Sequence, residues 1–315
     1  MNPNNKKEWK PSATSFVDDA RLFSSIQRHL PQHIPTTLKY LQQSSKYWEH
    51  LLYSSGGKLE YEKCAFYIIS WIFHKDVTTI MDKYSPHTLP ITSSNTGLYT
   101  EIKQLQTNEP MIYLGYMSQP DENQTPQLTK HVSKATAFAR MISTSNMTRY
   151  QTYTSSQSIV NSTLTHILSS TSYTDQMIDT IQQQIHPTII TRTGFNKHWP
   201  RVLRCGNHNI GSLRLKHLGT EKMIRKIDII NKFITLPDYS NLMLSIIDNY
   251  QLAAGITPPI LENIYWNTSY VTSLWLDNLI KDLQHHRIKL KIRDKFTLKP
   301  DRYNNTNVIQ DVNNK

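Results

Sequence analysis

The chain has 315 residues and a mass of 36.7 kDa, with 38% hydrophobic and 19% charged residues, enough for roughly two domains and too apolar for a mainly disordered chain. Its 35 Lys and Arg against 24 Asp and Glu leave a net charge of +11 and a pI near 9.4, which suits a polyanionic partner. Two cysteines, Cys64 and Cys205, exclude a disulfide framework and a four-thiolate zinc site and fit a reducing compartment. The longest apolar run, residues 65–73, is less than half of the roughly 20 residues a bilayer needs, and residues 1–10 lack the apolar segment of a signal peptide. The expectation is therefore an intracellular protein, nuclear or cytoplasmic, with no membrane partner. The sequence leaves the oligomeric state unknown.

In chain order, residues 16–23 predict a β-hairpin, because Phe16, Val17, Leu22 and Phe23 need a sheet and the Asp18-Asp19 pair between them needs a turn. Residues 35–54 predict a helix whose stripe is Leu38, Leu41, Tyr47, Trp48, Leu51 and Leu52, ending before Ser55-Gly56-Gly57. Phe66, Ile68 and residues 71–73 read as strands, while Pro86, Pro90, residues 93–97 and residues 120–123 read as loops. A boundary falls near Thr125. Beyond it, residues 127–192 and 221–254 hold apolar residues at three- and four-residue steps, as in Phe138, Met141 and Ile142 or Met177, Ile178, Ile181 and Ile185, and predict amphipathic helices. Residues 191–300 carry 17 Lys and Arg against 8 Asp and Glu, most of the excess charge. Within them Arg287, Lys289, Lys291 and Arg293 alternate with Ile288, Leu290 and Ile292. One face of such a strand can track phosphates, or it can simply be solvated.

The chemistry-bearing segment is Ser15-Phe16-Val17-Asp18-Asp19-Ala20-Arg21-Leu22-Phe23. Adjacent carboxylates on a turn are hard oxygen ligands for Mg²⁺, and an isolated Asp pair serves equally well as a solvated turn. An aromatic residue, any residue, then Asp-Asp on a hairpin resembles the catalytic turn of reverse transcriptases, with Phe16 in the place of the family's Tyr. The segments beyond this hairpin are similar in order to the reverse transcriptases of non-LTR, LINE-like retroelements. Trp48-Glu49 and Leu51-Leu52 precede a Gly-x6-Lys segment running from Gly56 to Lys63, and Tyr113-Leu114-Gly115 resembles the hairpin that grips the primer end. Residues 128–139, Ile181-Gln182, Thr193-Gly194-Phe195-Asn196 with Pro200-Arg201, residues 211–215, Thr220-Glu221 and residues 251–255 resemble the thumb and the region after it.

The resemblance implies an α+β fold: a partial reverse transcriptase palm in residues 1–125, a helical thumb-like region in residues 126–192, and a basic, mainly helical C-terminal extension in residues 193–315. It implies RNA-directed DNA polymerisation, with RNA and DNA as partners and Mg²⁺ held by Asp18 and Asp19. Lys63 would act as general acid toward the leaving pyrophosphate, unless it is only a solvated strand residue beside Glu60 and Glu62. Leu114 and Gly115 would grip the primer. The palm also uses a carboxylate from an earlier strand, and residues 1–14 hold Glu8 and no Asp. The expectation is thus a chain inactive by itself, and Ser212, where the family pattern has Gly, agrees.

Other signals are weaker. Cys205, His208, His198 and His217 lack the paired spacing of a structural zinc site. Trp199, Trp266 and Trp275 offer faces for base stacking, but Trp275 with Leu274, Leu279 and Ile280 reads as a helix facing a core. Phosphate-loop, dinucleotide-fold and hydrolase motifs do not occur. The competing function is a non-enzymatic, basic nucleic-acid-binding helical protein.

Overall fold

The computed structural model describes residues 13–16, 19–22, 33–69, 71–73, 78–80, 87–93, 96–207, 209, 211–256, 259–262 and 274–291. The fold is mixed α and β, and the chain falls into two compact units, one of residues 10–126 and one built on residues 127–315.

The first unit opens with an antiparallel pair, β1 (Ala13–Phe16) and β2 (Asp19–Leu22), in register Phe16 with Asp19 and Ala13 with Leu22. Helix α1 (His33–Ser54) follows. A single 3-10 turn, Tyr61–Lys63, leads into β3 (Ala65–Tyr67), and β4 (Trp71–Phe73) pairs antiparallel with β5 (Thr78–Ile80). Strands β6 (Leu89–Thr92) and β7 (Tyr99–Leu105) complete a three-stranded sheet in which β7 is central, parallel to β3 and antiparallel to β6. Then β8 (Met111–Tyr113) and β9 (Tyr116–Ser118) form a tight hairpin. The core here is Phe66, Leu89, Ile91 and Ile102, with Leu38 and Leu41 of α1 packed against it. The Gln42 amide donates to the Pro90 carbonyl at 2.8 Å and ties α1 to the sheet.

Three details of this unit differ from the sequence reading. Pro90 is not in a loop but inside β6, which tolerates it because β6 is an edge strand and its missing N–H costs no ladder bond. Tyr47 and Leu51 do not join the buried stripe of α1; they are 66% and 60% exposed, while Ser45 and Glu49 turn inward. The Tyr61 hydroxyl donates to the buried Glu49 carboxylate at 3.1 Å, so a polar pair replaces part of the apolar seam. Lys63 ends the 3-10 turn and is exposed, rather than lying in a strand.

The second unit is helical: α2 (Thr125–Thr144), α3 (Arg149–Ser155), a π turn, α4 (Asn161–Thr165), a 3-10 turn (Leu168–Ser170), α5 (Asp175–Arg192), α6 (Arg201–Cys205), α7 (Leu218–Thr235), α8 (Pro237–Ala253) and α9 (Leu274–His286). Caps set several starts. Thr148 and Gln151 form a capping box on α3, and Thr174 accepts from the Met177 N–H on α5. Ile178, Ile181 and Ile185 are buried as their spacing predicts, whereas Met141 is 63% exposed and leaves Phe138 and Ile142 to hold α2.

Two apolar clusters result, one over α2 to α5 with Leu215 and Leu218, the other over α7 to α9 with Ile256, Ile260 and Leu261. Helix α7 belongs to both, and the fully buried Lys222 and Lys226 sit between. Lys222 Nζ donates to the Tyr173 carbonyl at 2.7 Å and pairs with Asp282 at 3.0 Å; Lys226 Nζ donates to the Trp275 carbonyl at 3.1 Å and Asn278 Oδ1 at 2.9 Å. Trp275 packs on the second cluster, as its sequence context predicts, and its indole N–H donates to the Ser169 carbonyl at 2.7 Å.

Candidate functional site

Asp19 opens β2 opposite Phe16, so the two residues between the paired strands are Val17 and Asp18, which lie outside the described residues. Two residues along β2 from Asp19 stands Arg21, and this side chain connects the first hairpin to the second. Its guanidinium lies 4.0 Å from the centroid of the Tyr113 ring on β8 and donates to the Ser118 hydroxyl on β9 at 3.0 Å. Burial lowers the Arg21 pKa, opposed by Tyr113, Tyr67 and Tyr116, and a guanidinium so placed still stays charged. Tyr67 of β3 completes the cluster: its hydroxyl donates to the Glu109 carbonyl at 2.7 Å, and burial pushes its pKa up to about 12 against the pull of Arg21.

Leu114 and Gly115 form the two-residue turn of the second hairpin, at φ 49° and 81°. Two consecutive left-handed residues define a type I′ turn, which matches the twist of paired strands. Glycine adopts that geometry freely and leucine does not, so the turn is held at some cost by Tyr113 and Tyr116, which face each other across its base.

The remaining sequence-predicted residues stand apart from these hairpins in different ways. Lys63 is exposed just before β3. Arg287, Lys289 and Lys291 are exposed in the segment after α9, while Ile288 and Leu290 between them pack on the second helical cluster. That alternation follows the sequence, but among the described residues the segment pairs with no strand. Its Leu290 N–H donates to the Leu261 carbonyl at 2.9 Å, and Arg287 turns the chain out of α9 at φ 53°. Arg293 lies outside the described residues, as do His208 and Trp266. Among the described residues no three His, Cys, Asp or Glu side chains gather as a metal site, and the expected Mg²⁺ ligands, Asp18 and the carboxylate of Asp19, lie outside that set.

Sequence reading missed Arg21 and Tyr67. The usable signal was an Arg two residues beyond the Asp pair, inside a strand and not on a solvated loop, with several Tyr among the short strands. Comparison of the chain with protein-family models, with curated proteins and with solved structures gives no match.

Proposed function

We propose that the chain is the C-terminal part of a retroelement reverse transcriptase, a partial polymerase palm followed by thumb-like helices and a basic extension, with RNA and DNA as partners. One observation carries this reading: the hairpin that bears Asp19 and the hairpin that turns on Leu114 and Gly115 meet through Arg21, Tyr113 and Ser118. A polymerase palm needs these two turns side by side, because the carboxylates must hold metal where the primer end is delivered. Mg²⁺, when bound, would supply charge stabilisation for phosphoryl transfer. The chain's own residues would orient: Asp18 and Asp19 would hold the ion, Arg21 ties the two hairpins together, and Leu114 and Gly115 would seat the primer backbone at their turn.

A primer–template with a photoreactive 3′-terminal nucleotide tests this directly. Crosslinks should map to residues 111–118, Mn²⁺ should broaden resonances near Asp19, and Arg21→Gln should scatter the crosslinks without unfolding the chain. Crosslinks indifferent to the position of the 3′ end would overturn the palm and favour the non-enzymatic nucleic-acid-binding protein. The 315-residue chain by itself should extend no primer. Templated incorporation abolished by Asp18→Ala would refute that inactivity while keeping the palm.

A further inference from the structure

Residues 192–216 contain six Lys and Arg and no Asp or Glu. The described residues of this stretch, 192–207, 209 and 211–216, are tied by backbone bonds into a platform. Helix α5 ends in a Schellman motif, with the Gly194 N–H bonded to the Thr191 carbonyl and the Phe195 N–H to the Ile190 carbonyl, both at 3.0 Å. Gly194 sits at φ 95°, a left-handed conformation that L side chains rarely adopt, and the Arg149 guanidinium lies 2.9 Å from where a β-carbon would stand. The next turn closes with the Trp199 N–H on the Asn196 carbonyl at 3.0 Å and the His198 N–H on Asn196 Oδ1 at 2.9 Å. It brings the Phe195 and Trp199 rings parallel, 4.0 Å between centroids and 11° between planes.

Trp199 packs against the first helical core, whereas Phe195 is 39% exposed. The pair is thus a flat apolar surface anchored from below. Lys197 and Arg201 are exposed in the same stretch, the Arg201 guanidinium resting on the His217 ring, and Arg214 is exposed on the returning segment, which α6 holds through Leu213 N–H to Leu203 carbonyl at 3.0 Å and Leu215 N–H to Arg204 carbonyl at 2.8 Å. The facing acids are few: Glu221 pairs with Lys216 and Arg225, and Asp175 and Asp179 lie toward His217.

We propose that this platform binds single-stranded nucleic acid, with a base stacked on Phe195 and the flanking phosphates on Lys197, Arg201 and Arg214. A local excess of cations over acids selects a polyanion, and an outward aromatic face in the same basic stretch selects one with bases to stack. The inference extends the proposed function to a second contact, remote in sequence from the palm hairpins, so either can fail alone.

The test is fluorescence anisotropy of short oligothymidylate and oligouridylate on the full chain across a salt series. Phe195→Ala should weaken binding about tenfold with the salt slope unchanged, and Phe195→Trp should restore it. Lys197→Gln, Arg201→Gln and Arg214→Gln together should shallow the log–log slope by about 0.7 per lost phosphate contact. Removing equal charge from the first unit, by Lys39→Gln, Lys46→Gln and Lys58→Gln, should leave the slope in place. Circular dichroism of each variant establishes that the helices persist. Affinity indifferent to Phe195→Ala, equal slopes from the two triple variants, or binding to phosphatidylserine vesicles with none to oligonucleotides would each overturn the proposal.

Discussion

The helical unit buries two extended apolar clusters joined by α7, so its stability is spread over many side chains. The first unit, by contrast, has four buried apolar residues in its sheet core, among the described residues, and relies on single polar or aromatic ties: Gln42 to Pro90, Tyr61 to Glu49, Arg21 to Tyr113 and Ser118. Such ties contribute about 1 kcal/mol each when part-exposed, but they are directional. They hold turns in position where a larger core would only hold layers together.

The largest effect should come from the buried charges of the helical unit. Lys222→Met leaves the mostly buried Asp282 without its ion-pair partner, which should cost about 3 kcal/mol in chemical denaturation, and adding Asp282→Leu should recover most of it. Burial raises the Asp282 pKa despite Lys222, so the single variant should be penalised less in acid, where that carboxyl protonates. Failure of the second change to rescue would mean that the Lys222 bond to the Tyr173 carbonyl, not the ion pair, carries the junction.

Ile91→Ala should cost about 2 to 5 kcal/mol and act locally. Hydrogen exchange should show the strands of residues 10–126 losing protection while α5 and α7 keep theirs. Equal loss in both units would erase the difference between a distributed core and a tied one.

Acid should separate the units as well. His131 and His186 are buried, and desolvation lowers both to about 4 from an ordinary 6.5, with Lys134 adding to the effect at His131 and Arg204 at His186. The unfolded chain therefore takes up protons that the folded chain refuses. Stability is complete above pH 6.5 and should decline as pH falls toward 4, an effect read from urea midpoints of the helical unit. His131→Phe should flatten part of that decline.

The smallest effect should be a gain. Leu114→Gly relieves a left-handed leucine and should stabilise the second hairpin by about 1 kcal/mol. If primer-end crosslinking falls while stability rises, the strain belongs to function; if both rise, the leucine is incidental.

Elements whose physics is local were legible before any fold was known. Helices α5, α7 and α9 follow from apolar spacing, the end of α1 from Ser55-Gly56-Gly57, and the β1–β2 pair from apolar flanks around an acidic turn. Of the candidate site, the hairpin could be read but not its register, since Asp19 opens β2 instead of lying in the turn, and the contacts are settled by segments far away in the chain. Strand β7, Tyr-Thr-Glu-Ile-Lys-Gln-Leu, buries only Ile102 and has no apolar alternation to announce it, yet it is the centre of the sheet because β3 and β6 both pair with it. Lys222 and Lys226 lie on what spacing would treat as an ordinary amphipathic helix, and they are buried because carbonyls from distant segments replace their water. Arg21 reads as one basic residue among many until Tyr113 and Ser118, over ninety positions away, close around it. Periodicity reports which face of an element is apolar. It carries no information about partners that meet only once the chain has folded, and the polar contacts of this protein are of that kind.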